Sequence, residues 1–133
     1  MTVADSVEIA KPQELVYGIV RDLERAPAWQ ESLESVDVHA GTEVRRVGGF
    51  RQEAKFFIVE DDPPRRLAIA SEGGPANARA TFELEPAGDG TLVKFTLDVD
   101  LRGPARFARH IVKATALREV QASLQKLKEV AEA

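Results

Sequence analysis

Cysteine is absent from the 133 residues, so neither a disulfide framework nor thiolate chemistry is available. Histidine occurs only at His39 and His110, far apart in sequence, so no zinc site is expected, and no metal or cofactor is predicted. No apolar run approaches the roughly 18 residues of a membrane span, so no stable membrane insertion is expected. The opening MTVADSVEIA has neither a basic segment nor an apolar one, so no signal peptide is expected. A cationic excess is also missing: Lys and Arg number 18 against 22 Asp and Glu, a net charge of -4, which argues against a general nucleic-acid role. Gly48-Gly49 and Gly73-Gly74 precede neither a Lys-Ser/Thr pair nor a helix start, so they are turns rather than phosphate loops. No nucleophile-base pair stands out. These absences leave a soluble, cytoplasmic protein as the expectation.

What is present is ordinary in amount and specific in order. A content of 44% hydrophobic and 30% charged residues suits one globular domain, 1–133, with one real core. From Gly103 to Ala133 the spacing predicts one long amphipathic helix. Leu117, Val120, Leu124, Leu127 and Ala131 recur at three and four, and the same stripe extended backwards passes through Ala114, His110 and Phe107. Arg118, Glu119, Lys126, Lys128 and Glu129 fall on the opposite face.

Before that helix the chain alternates at the strand period of two. Strands are predicted over Thr2 to Ala10, Ser35 to Ala40, Glu43 to Val47, Phe50 to Asp61, Arg65 to Ser71, Ala76 to Glu85 and Thr91 to Leu101. Two short helices follow Pro12, which suits a first helical turn, and end at Ala26-Pro27. Phe57 and Val59 break the alternation of the fourth strand, so its far end is predicted to be covered on both sides. Consecutive strands joined by short turns pair antiparallel. The expected architecture is α+β: a seven-stranded antiparallel curved sheet wrapped around a long C-terminal helix, with two short helices between strands 1 and 2.

That order resembles the helix-grip fold of the START/Bet v 1-like superfamily, also called SRPBCC. Val7-Glu8-Ile9-Ala10-Lys11-Pro12, followed by Val16, Asp22 and Trp29, is similar to the family's strand-Pro-helix entry. Asp62-Pro63-Pro64-Arg65-Arg66-Leu67 resembles its strand-joining turn. Leu84-Glu85-Pro86 with Gly90-Thr91-Leu92-Val93 resembles its last hairpin, and Leu124 to Val130 the end of its C-terminal helix. The resemblance spans essentially the whole chain and is strongest to the polyketide cyclase/dehydrase-type branch. It implies a hydrophobic cavity between sheet and helix, which in different members holds lipids, sterols, polyketides or plant hormones. One departure is a shorter segment between Val36 and Pro63, which narrows one side of such a cavity.

A ligand cavity needs apolar walls, missing volume and a few orienting polar groups. Small residues on the predicted inner face are Ala54, Ala78, Ala80 and Ala114, and larger walls come from Phe56, Phe82, Phe95 and Phe107. Gln52 lies on the same face, where a buried amide must bond to a ligand or to a backbone edge. His110 on the helix stripe has the titration range for acid/base work, or is a partly exposed histidine beside Arg106 and Arg109. Gln52 and His110 are the catalytic candidates. Asp5 falls on the apolar face of its strand, at a solvated rim or pointing into the cavity. Ser71 is inward by parity but close to a turn. Tyr17 reads as packing. Trp29 is a core anchor or a lid. Arg102, Arg106, Arg109 and Lys113 form a basic cluster at the helix head, either a solvated face or a contact for an anionic head group or partner protein.

The expected function is binding of a small hydrophobic or aromatic, lipid- or polyketide-like molecule between sheet and helix. One alternative is a polyketide or aromatic cyclase/dehydrase that folds its substrate and assists proton transfer. The other is a protein-interaction module with a filled core, as the related co-chaperone activators imply. A homodimer is compatible with the sequence.

Overall fold

The computed structural model describes residues 1–47, 50–73 and 76–133, with the side chains of 47 and 50 left aside. The Gly48-Gly49 turn and the Gly74-Pro75 part of the next turn lie outside those residues. The elements are β1 (Thr2–Ile9), α1 (Gln13–Arg21), a 3-10 segment (Leu23–Ala28), β2 (Leu33–Asp37), β3 (Thr42–Val47), β4 (Phe50–Asp62), β5 (Arg66–Gly73), β6 (Ala76–Ala87), β7 (Gly90–Leu101), a second 3-10 segment (Gly103–Ala108) and α2 (Arg109–Glu132). One seven-stranded sheet runs in the order β1-β7-β6-β5-β4-β3-β2, and every pair is antiparallel. This is the α+β helix-grip arrangement predicted above.

Residue parity fixes the inner face of the sheet. Leu67 pairs with Phe82 and Phe82 with Phe95; Ile69 pairs with Ala80 and Ala80 with Leu97. Towards α1 this face is filled. Ile9, Val16, Val20, Trp29, Leu67, Phe82, Val93 and the C-terminal half of α2 form one buried cluster. Helix α1 starts one residue after Pro12, whose extended backbone makes it the N-cap rather than the first helical residue. Gln13 staples that end down by donating to the backbone oxygens of Pro64 (2.9 Å) and Leu84 (3.1 Å).

Tyr17 on α1 is buried, and its hydroxyl donates to Asp61 on β4. Burial and the neighbouring Asp61 carboxylate push the phenol pKa up. The hydrogen bond from Tyr17 and that from Arg21 Nε (2.9 Å) hold the Asp61 carboxyl below its usual value. Tyr17→Phe should therefore cost about 1 kcal/mol, one net hydrogen bond, read as a small fall in urea midpoint. The sign for Asp61 is that of a depressed carboxylate. Its stabilisation is present above the unfolded-state value and fades as pH falls through the carboxylate range, so the Tyr17→Phe deficit should shrink in acid.

The far end of β4 differs from the sequence expectation. A β-bulge between Ile58 and Glu60 shifts the register, and Phe57, Ile58 and Val59 are exposed rather than covered. Val59 is the extra residue of the bulge, while Phe57, in register with Ala70, sits on the outer face with no second layer over it among the described residues.

The helix stripe also needs correcting. Val120, Leu124, Leu127 and Ala131 are buried as predicted, but the next inward residue is Ala116, while Leu117 is partly exposed. Phe107, His110 and Ala114 are exposed. Extending the stripe from Leu117 put the phase off by one residue. Residues 103–108 are moreover a 3-10 segment, with three residues per turn rather than 3.6.

Candidate functional site

Towards the head of α2 the same inner face is not filled. A cavity of about 550 Å³ lies between the sheet, the 3-10 segment and the first turns of α2. Its apolar walls include Ala54, Phe56, Ile69, Ala78, Ala80 and Leu97 from the sheet, and Ala105, Ala108 and Val112 from the helix side. Phe82 and Phe95 form its floor. Their rings stack 4.4 Å apart, and Trp29 meets Phe82 edge-on at 5.6 Å from below. Small side chains on β6 and on the helix head leave this volume open. Where β6 and β7 carry Phe82, Leu84 and Val93, the interior closes.

One end of the cavity is polar, and this end is not evident from apolar patterning. Arg45 and Glu43 on β3 face inward because they pair with Gln52 and Ala54 of β4. Glu43 is only 7% exposed. Arg45 donates from Nε to Glu43 (3.2 Å), from Nη1 to Ser32 Oγ (3.0 Å) and from Nη2 to Gln30 Oε1 (2.9 Å) and Glu43 Oε2 (3.3 Å). Ser32 donates in turn to Glu119 Oε1 through its hydroxyl (2.7 Å) and its backbone N–H (3.2 Å). Gln30, Ser32, Glu43, Arg45 and Glu119 all line the cavity. The network ties β3, the loop before β2 and α2 together, and it holds two carboxylates against one guanidinium. Among the described residues no donor reaches the second carboxylate oxygen of Glu119.

The sequence candidates divide accordingly. Ala54, Phe56, Ala78, Ala80, Phe82 and Phe95 line the cavity, as do Ser71 and Gln52. Gln52 donates from its amide nitrogen to the backbone oxygen of Gly73 (2.7 Å), so it bonds the neighbouring strand edge. Phe107, His110 and Ala114 are on the outside of the helix head; Ala105, Ala108 and Val112 hold the inward positions. Asp5 is exposed on the edge strand, where it accepts from Gln121 Nε2 (3.2 Å) rather than entering the cavity. Trp29 is 2% exposed beneath the floor, a core anchor and not a lid. Glu119, placed on the solvent face by helical spacing, is part of the wall. Its signal was indirect: the inward parity of Glu43 and Arg45 demands polar partners across the cavity.

A family model described as polyketide cyclase / dehydrase and lipid transport matches residues 1–132. The chain belongs to this family. Solved structures share its fold. A protein of Thermus thermophilus is 25% identical, with a TM-score of 0.83 over 98% of this chain and 97% of its own. A START superfamily protein of Mycobacterium smegmatis is 18% identical, with a TM-score of 0.75 over 97% of this chain and 98% of its own. The Zhui aromatase/cyclase of Streptomyces sp. R1128 is 16% identical, with a TM-score of 0.79 over 99% of this chain and 93% of its own. The likenesses at 18% and 16% identity are likenesses of fold. Comparison with curated proteins gives no match. No helix of this family member, among the described residues, is long and apolar enough to cross a membrane.

Proposed function

We propose that the chain binds one small apolar or aromatic molecule in the cavity under the head of α2, with a hydrogen-bond-donating group of the ligand at the polar end. The observation that carries this reading is an interior of about 550 Å³ with mainly apolar walls and a polar network at one end. That volume falls within the range of about 300–1,000 Å³ typical of small-molecule sites. Family membership supports a hydrophobic ligand. The polar end supports its orientation. Arg45 is spent on Glu43, Ser32 and Gln30, so it is poorly placed to take an incoming anion. Among the described residues, capacity remains on the second carboxylate oxygen of Glu119 and on the amide nitrogen of Gln30, whose oxygen alone is bonded, and a ligand carboxylate there would meet two protein carboxylates. A hydroxyl or amine fits.

Native mass spectrometry of freshly purified protein, followed by titration with 2-naphthol and 2-naphthoate, tests the reading. The two probes share an apolar body and differ in head group. The expected result is saturable 1:1 binding of naphthol, at least about tenfold tighter than naphthoate, about 1.4 kcal/mol. Glu119→Gln should narrow the difference. A protein that arrives bare and takes up neither probe contradicts the reading.

Two of the carboxylates that line the cavity, Glu43 and Glu119, support a second reading, a cyclase or dehydrase in which the walls fold a flexible chain and one of the two moves a proton. The Zhui aromatase/cyclase shares the fold. His110 is exposed and does not line the cavity, so this reading gives the proton transfer to the carboxylates instead. Dehydration of a linear polyketide that survives Glu43→Gln and Glu119→Gln unchanged would remove this reading.

A further inference from the structure

The outside of the cavity's helical wall has a composition of its own. Phe107 is 87% exposed and Ile111 is 72% exposed. They lie one turn apart, on the side away from Ala105, Ala108 and Val112, which line the cavity. Large apolar side chains this exposed are costly unless something covers them. The same segment carries Arg102, Arg106, Arg109 and Lys113, all exposed, and residues 102–113 contain no Asp or Glu, although the whole chain carries 22 acids against 18 cations.

Among the described residues none of these four cations forms an ion pair. Arg79, Arg118, Lys11, Lys55 and Lys94 form none either, but they are scattered along the chain, whereas these four fall within twelve consecutive residues without an acid. Arg102 donates only to the neutral side-chain oxygen of Asn77 (3.1 Å), and Arg106 to the backbone oxygen of Gly103 (3.2 Å). The segment therefore combines two protruding apolar anchors with cationic groups that form no ion pair among the described residues. A second copy of the chain meeting this patch face to face would bring four cations against four. An anionic lipid surface supplies both complements, acyl boundary for the anchors and phosphate for the cations.

We propose that the head of α2 docks on an anionic membrane surface, with Phe107 and Ile111 entering the headgroup boundary and Arg102, Arg106, Arg109 and Lys113 on the lipid phosphates. Docking rests on this outer face alone and does not depend on what the cavity holds. It would place the thin wall of Ala105, Ala108 and Val112 between the cavity and the lipid.

The test is co-sedimentation of the full chain with vesicles of phosphatidylcholine alone and of phosphatidylcholine mixed with phosphatidylglycerol. Binding to the mixed vesicles is expected, weakening as salt is raised, with little binding to phosphatidylcholine alone. The double variant Phe107→Asp, Ile111→Asp should bind at least about tenfold more weakly, with an unchanged circular dichroism spectrum because both positions are exposed. Arg106→Gln with Arg109→Gln should weaken binding and flatten its salt dependence. Mixed vesicles that do not sediment the protein overturn the proposal, as does binding that the Phe107/Ile111 double variant leaves intact. A dimer in sedimentation velocity that the same double variant dissolves, without vesicle binding, identifies a second copy as the occupant and overturns it too.

Discussion

Ala80→Trp should abolish uptake of an apolar ligand and leave the protein folded, with a Tm unchanged or raised. Ala80 lies on the inner face of β6 between its register partners Ile69 and Leu97, and all three line the cavity. In a filled interior an added indole would force neighbouring side chains off their rotamers, at roughly 1–3 kcal/mol or more. Here it enters a space of about 550 Å³ and buries on the order of 150–250 Å² of its own surface. The variant thus separates an open cavity from a close-packed core that merely lets the helix sit nearer the sheet. A large loss of Tm would show the interior to be packed, and the filled-core interaction module would return as a reading.

The second large effect concerns the phase of α2. Leu127→Ala should cost about 2–5 kcal/mol, the range for emptying a fully buried site, because Leu127 is 0% exposed within the core cluster. Against a total stability of roughly 5–15 kcal/mol for a domain, that is a severe loss. Leu117→Ala should cost under about 1 kcal/mol, since Leu117 is partly exposed. Helical spacing treats the two leucines as equivalent, so the pair distinguishes the observed phase from the periodic one. Urea denaturation of both variants reads the difference. Equal losses would place Leu117 back on the buried stripe.

The fold was legible because its signals are local and redundant. The alternation of Val93, Phe95, Leu97, Val99 and Leu101 sets the inner face of β7. Register carries that parity to Phe82, Ala80 and Ala78 on β6, and onward to Leu67 and Ile69 on β5. The apolar half of the site came with it, since the cavity walls are the same inner face where its side chains become small. The helix head was not legible in the same way. A period of 3.6 does not run through a 3-10 segment, and the inward residues there are alanines, which carry a weak hydrophobic signal. Phe107 and Ile111, the conspicuous apolar residues, point outward.

The polar end was missed for a different reason. Glu119 is on the helix face that spacing assigns to solvent, Glu43 and Arg45 are on a short strand whose pattern assigns no inner face, and the three come together only across the cavity. Gln52 held the clue. Once it is on the inner face, its register partner Arg45 must be there as well. An inward arginine requires acceptors, and Glu43, Ser32 and Gln30 supply them.

The most direct test of the ligand-binding reading is a fluorescence titration with N-phenyl-1-naphthylamine, an uncharged apolar probe with one N–H donor, against the parent protein and Ala80→Trp. A saturable blue-shifted emission with one site per chain is expected in the parent, and none in the variant. Emission that rises linearly without saturation in the parent, or that saturates equally in both proteins, would contradict ligand binding in the cavity.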